Sequence, residues 1–140
     1  MSTIHIAQSD DEVARCFAVM RELRPHLSEG EFVARIRNQQ RGGFNLAYLL
    51  QADRVCVVAG FRLIDNLAQG RVLYVDDLVT ASTHRSGGQG GALFAWLVER
   101  ARSEGCVSLE LDSGVQRFDA HRFYLTHRMF ISSHHFRLVL

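Results

Sequence analysis

The 140-residue chain has one proline, three cysteines and almost no net charge, with sixteen basic side chains against fifteen acidic ones. Each scarcity closes off a class of protein. Binding to nucleic acid mainly through charge requires a clear basic excess, so nucleic acid is not an expected partner. Cys16, Cys56 and Cys106 are odd in number, far apart and set among apolar neighbours. They read as reduced thiols of a reducing compartment and not as a disulfide framework. Apolar runs such as Val55 to Phe61 fall far short of the roughly 18 residues that cross a bilayer. The start, Met1-Ser2-Thr3-Ile4-His5-Ile6, lacks the basic and apolar stretches of a signal peptide. The expected location is cytoplasmic, with no membrane partner.

What is present fits an ordinary globular domain. Hydrophobic residues make up 47% and charged residues 22%, close to average usage. At roughly 100–200 residues per domain, residues 1–140 form one domain. A chain of this length buries about two-thirds of its unfolded surface.

The patterning alternates between helical and strand periods. Ile4 and Ile6 suggest a short strand. Ser9-Asp10-Asp11-Glu12 is a capping-box signature, followed by Val13, Cys16, Phe17, Met20 and Leu23 on one helical face ending near Pro25. Ser28-Glu29-Gly30-Glu31 repeats the capping pattern ahead of Phe32, Val33 and Ile36. After Gly42-Gly43, three segments rich in Val, Leu, Phe and Tyr (44–50, 55–64 and 72–80) read as strands. The short connection at Gln51-Ala52-Asp53-Arg54 predicts a hairpin. A helix carrying Leu93, Trp96, Leu97 and Ala101 follows, stopped by Gly105. Residues 106–111 read as a buried strand, 118–127 as a helix, and 130–140 as one or two final strands. This order predicts a three-layer α/β/α domain with a mixed, mostly antiparallel sheet of about six to seven strands.

The richest segment is Arg85-Ser86-Gly87-Gly88-Gln89-Gly90-Gly91, just before a helix. Glycines there let several N–H groups turn into one small space, where the helix dipole favours an anion such as phosphate. Arg85 at the mouth adds a charged donor. A Walker loop would end in Gly-Lys-Ser/Thr, and Gly90-Gly91-Ala92 has no lysine. The dinucleotide fingerprint beginning at Gly88 would need a small residue where Leu93 stands.

Arg85-x-x-Gly88-x-Gly90 is an instance of the Arg/Gln-x-x-Gly-x-Gly/Ala motif. Together with the strand Tyr74-Val75-Asp76-Asp77-Leu78-Val79 before it and Ala120-His121-Arg122-Phe123-Tyr124 after it, it resembles the GNAT family of N-acetyltransferases. The resemblance covers most of the chain and implies the acyl-CoA N-acyltransferase fold. It also implies acetyl-CoA as co-substrate, with Arg85, Ser86, Gly87, Gly88, Gln89, Gly90 and Gly91 around its pyrophosphate. Leu78, Val79 and Thr80 would pair their backbones with its pantetheine arm, and the N–H of Val79 would face the acetyl carbonyl. The chain departs from the family pattern at Arg117, where an Asn is usual, and at Met129-Phe130, where Gly-Phe is usual.

By the same resemblance Tyr124 is the general acid that protonates the leaving thiolate. Its bland reading is a tyrosine that packs a helix onto a sheet. Asp76 and Asp77 sit in an interior strand, where ionisable residues are unusual. Strand alternation lets at most one of them face an acceptor cleft, and family position puts Asp76 slightly ahead as the amine's base. The alternative for either is a structural carboxylate paired with an arginine or a backbone N–H. His121, His127, His134 and His135 lack the convergence that a metal site needs, so no metal is expected. No cysteine occupies a nucleophile setting, so the amine is expected to attack directly within a ternary complex. The resulting expectation is transfer of acetyl from acetyl-CoA to a primary amine, small or peptidic. The alternative is a non-catalytic acyl-CoA-binding sensor or regulatory module. Arrangements of this kind often pair as homodimers.

Overall fold

The computed structural model describes all 140 residues, Met1–Leu140. In chain order the elements are β1 (Ser2–Ile6), α1 (Asp10–Arg15), α2 (Phe17–Leu23), α3 (Glu29–Arg41), β2 (Phe44–Gln51), β3 (Arg54–Asn66) and β4 (Gly70–Thr80). A 3-10 turn (Ser82–His84), α4 (Gln89–Ser103), β5 (Ser108–Leu111) and α5 (Phe118–Thr126) follow. Residues Met1–Glu110 form a large compact unit and Leu111–Leu140 a small one.

The sheet runs β1-β2-β3-β4-β5, and the first three neighbouring pairs are antiparallel. Ala52 and Asp53, both at positive φ (49° and 57°), make the two-residue turn between β2 and β3. That turn geometry matches the right-handed twist of a hairpin. β5 joins the other edge of β4 through the α4 crossover.

Alternation along β2 divides the core between two faces. Leu46 and Tyr48 pack with Val13, Phe17, Met20, Phe32 and Ile36 of the N-terminal helices. Ala47 and Leu49, also fully buried, point the other way, where α4 covers β2, β3 and β4 with Leu93, Phe94, Leu97 and Ala101. Trp96 meets Phe61 edge-on at 6.1 Å, as a core residue does.

Four sequence expectations change. The first helix is two, because the Cys16 N–H bonds the Val13 carbonyl at 3.0 Å and its thiol bonds the Glu12 carbonyl at 3.4 Å. This tightens the turn between α1 and α2. α4 begins at Gln89, so Gly90 and Gly91 belong to its first turn. The strand after α4 is shorter and only half-buried, spanning Ser108–Leu111. Residues 130–140 form no strand and are exposed, so the sheet has five strands and not six or seven. Their alternation is real, but alternation makes a strand only where a partner edge supplies a ladder.

Of the two capping signatures, only the first closes. Ser9 accepts from the Glu12 N–H while Glu12 accepts from the Ser9 N–H. The carboxylate of Glu12 also accepts from the Tyr48 hydroxyl at 2.7 Å. That bond, more than the cap, holds the Glu12 carboxyl down at about 2. Ser28 precedes α3 without a side-chain bond.

Candidate active site

The site begins at an irregularity in β4. Its register with β3 pairs Gly60 with Asp77 and Phe61 with Val75, so Asp76 is an extra residue. A bulge of this kind breaks the two-residue alternation and re-aims side chains. Asp76 and Asp77 therefore line the same cavity, contrary to the expectation that only one of them could.

The two carboxylates are held differently. Arg62 grips Asp76 through two bonds of 2.8 Å while lying 5.4 Å over the Tyr74 ring. Arg24, just past α2, donates from Nε to Asp77 at 2.9 Å and from Nη2 to the Asp76 carbonyl at 2.9 Å. The Asp77 side chain is only 13% exposed. Burial pushes its carboxyl above the usual range, and Arg24 opposes that shift without cancelling it.

Gly60 makes this arrangement possible. A Cβ there would overlap the Phe44 ring and come within 2.5 Å of the second Asp77 oxygen. A glycine inside a strand pattern is the sequence signal for such a close approach. Arg24, Arg62 and Gly60 are site residues that motif reasoning missed.

The cavity holding both aspartates measures about 240 Å³. Phe32, Ile36 and Phe44 give it an apolar floor, with Arg24, His26 and Arg35 among its polar lining. All of these residues belong to the large unit.

Farther along β4, Ala81 donates to the Cys56 carbonyl at 2.8 Å and Val79 pairs with Val58. By alternation the Val79 N–H faces β3, and the polar groups of Leu78 and Thr80 face the opposite edge. This moves the free donor from Val79, where the resemblance put it, to its neighbours. β5 starts beside Arg71, whose carbonyl accepts from Val107 at 2.8 Å. At four residues, β5 is too short to cover the rest of the eleven-residue β4. The far end of β4 thus offers an open backbone edge.

That edge leads into the glycine loop. Ser86 and Gly88 adopt positive φ (69° and 84°), and Gly88 is the N-cap of α4, with no side chain capping it. The first-turn N–H groups of a helix have no partner inside it, so those of Gln89, Gly90 and Gly91 are available to an anion. The Gln89 side chain braces the loop from within and donates to the Gln51 side-chain oxygen at 2.7 Å. A Cβ at Gly87 would strike that amide. Glu22 of α2 accepts from the Ser82 N–H at 3.0 Å and sits 3.7 Å from Arg85.

In the small unit, Tyr124 lies on α5, half-buried. Burial raises its phenol, while a hydrogen bond and the charge of Arg117 pull it back. Arg117, the departure from the family's Asn, is thus a neighbour of this hydroxyl. His134 and His135 are exposed, and His135 lies 3.5 Å from Asp112. No group of three or more His, Cys, Asp or Glu side chains converges as a metal would require. No helix is long and apolar enough to cross a membrane.

Comparison with known proteins gives the family and the fold. The model of the acetyltransferase (GNAT) family matches residues 6–128. The chain is 33% identical over 124 residues to an uncharacterized N-acetyltransferase, YhdJ, of Bacillus subtilis, covering 86% of this chain and 87% of that one. Among solved structures, a transcriptional regulator from Bacillus halodurans superposes with a TM-score of 0.87 at 20% identity, over 100% of both chains. The aminoglycoside N-acetyltransferase AAC(6')-Iy, solved in complex with CoA, superposes at 0.84 and 10% identity, over 100% of this chain and 96% of that one. The family match and the curated relative define an N-acetyltransferase. The chain belongs to the GNAT family, and it is an N-acetyltransferase, of a family that uses acetyl-CoA.

Proposed function

We propose that the protein moves the acetyl group of acetyl-CoA directly onto a primary amine within a ternary complex, through one domain spanning residues 1–140. The observation that carries this reading is the half-open edge of β4. It runs from the buried Asp77 carboxylate to the uncapped N-terminus of α4. The outward-facing backbones of Leu78 and Thr80, on either side of Val79, would align the pantetheine arm. Arg85 to Gly91 would receive the pyrophosphate. An outward backbone N–H of β4 would stabilise the oxyanion that forms when the amine nitrogen attacks the thioester carbon.

Two carboxylates are candidates for accepting the amine's proton, and we assign the role to Asp77. Asp76 is held by two bonds from Arg62, whereas Asp77 takes a single bond from Arg24 and burial pushes its carboxyl above the usual range. When the carbon–sulfur bond breaks, Tyr124 would protonate the thiolate. Thiol release from acetyl-CoA, measured against a panel of amines, amino acids and peptides, tests the reaction. Tyr124→Phe is expected to lower turnover at least tenfold while leaving acetyl-CoA affinity nearly unchanged. Full turnover in that variant refutes the acid assignment.

We also infer a homodimer in a cytoplasmic setting. Phe136, Leu138 and Leu140 recur every second residue and are 84% or more exposed, and β5 ends the sheet with an uncovered edge. An apolar alternating segment and an unpaired edge are complementary surfaces for two copies. Light scattering on the wild type and on Phe136→Ser/Leu138→Ser is expected to give a dimer and a monomer. Equal masses refute the pairing.

A further inference from the structure

The charges of the acceptor cavity do more than admit an amine. Its two carboxylates are each matched by a guanidinium, Asp76 by Arg62 and Asp77 by Arg24. Arg35, on α3 and lining the same cavity, makes no ion pair or hydrogen bond, and neither does His26. A cavity meant for a polycation would leave carboxylates unmatched. This one leaves a cation unmatched in the cavity that also holds Asp77.

We infer that the acceptor is a small amine that also carries an anionic group, a carboxylate or a phosphonate. This rests on the acetyl-transfer reading above. The amine lies toward Asp77, and the anion meets the Arg35 guanidinium, whose planar fork matches such groups through paired bonds. His26 supplies a further ring N–H at the same rim. Size argues the same way, because about 240 Å³ is less than the roughly 300–1,000 Å³ of sites for drug-sized ligands. The apolar floor of Phe32, Ile36 and Phe44 suits the short carbon skeleton between the two charged ends.

The experiment compares matched acceptors at saturating acetyl-CoA. Amino acids and aminoalkylphosphonates are set against amino acid methyl esters and against diamines of similar length. The anionic amines are expected to show at least tenfold higher kcat/KM than the esters and diamines. Arg35→Ala is expected to lower the acid-to-ester ratio about tenfold, mainly through KM. Which anion the site prefers is read from the carboxylate and phosphonate arms. Efficient acetylation of esters or diamines, or an equal loss on acid and ester in Arg35→Ala, overturns the acceptor class but leaves acetyl transfer standing. Absence of thiol release with every amine overturns the transfer reading itself.

Discussion

Arg24→Met isolates the pair on which the acceptor cavity turns. The substitution keeps most of the side-chain volume and removes the charge bonded to Asp77 at 2.9 Å. Breaking a buried ion pair by deleting one partner costs about 3–5 kcal/mol. Water reaches the Arg24 side chain, which is 41% exposed, and screening brings the loss below that range, to about 2 kcal/mol. At roughly 4 °C per kcal/mol for a domain of this size, Tm falls by about 8 °C.

The pH dependence makes the reasoning specific to Asp77. Its folded carboxyl already titrates above the ordinary 3.8 because of burial, so the folded state binds the proton more readily than the unfolded one. Such a group destabilises the fold above its folded pKa, and stability is regained as pH falls toward the unfolded value. Removing Arg24 raises the folded pKa further, so the deficit of Arg24→Met is largest at neutral pH and narrows toward pH 4. The acid limb of the rate profile shifts upward for the same reason. Arg24→Met/Asp77→Asn, which removes both charges, is expected to recover most of the lost Tm at pH 7. A deficit equal at pH 4 and pH 7, or a double variant no better than the single, refutes the account.

Gly60→Ala drives a methyl into Phe44 and Asp77; overpacking of this kind costs about 1–3 kcal/mol, and thermal melts with thiol release should show lower stability and lower kcat together. Gly88→Ala meets no neighbour within 4 Å but keeps φ at 84°. Its strain of about 1 kcal/mol should raise KM for acetyl-CoA more than KM for the acceptor, as steady-state kinetics would reveal. Glu12 is held at about 2 against an ordinary 4.5, so its contribution is present above 4.5 and is lost as pH falls through 2. Tyr48→Phe removes the largest cause of that shift, and urea melts at pH 6, 4 and 3 should show a shallower acid loss than in the wild type.

Much of the fold was legible because periodicity and turn chemistry agreed. The β2–β3 hairpin, the helix after the glycine loop and the Ser9 cap each rest on local pattern, and each forms. The failures share another cause, since they depend on partners that sequence order does not name. Phe136, Leu138 and Leu140 alternate like a strand but have no ladder to join. Ser28 has the capping residue type without the bond. The site divided in the same way. The glycine loop was readable because backbone curvature demands glycine, and the aspartates stood out as charges in an apolar strand. Their shared orientation was not readable, because one extra residue opposite Gly60 and Phe61 is a property of pairing. Arg24 and Arg62 were hidden because they lie 53 and 14 residues from the carboxylates they hold.

One compositional fact gains meaning only beside the chemistry. All sixteen basic side chains are arginine, and the chain contains no lysine. An ε-amine near a bound thioester is itself an acceptor once it loses its proton, whereas a guanidinium, with a pKa above about 12, stays charged and does not attack. Every cation around the cavity and loop, Arg24, Arg35, Arg62 and Arg85, is therefore inert to the reaction performed there. Arg35→Lys puts that idea at risk, because it introduces a single amine into the cavity that holds Asp77. On incubation with acetyl-CoA and no other acceptor, the variant is expected to gain an acetyl group on the introduced side chain, while the wild type gains none there. Intact-mass and peptide mass spectrometry read both outcomes. A variant that stays unmodified while still acetylating free amines would show that the position 35 side chain does not reach the reacting centre, so that the absence of lysine there has no chemical reason.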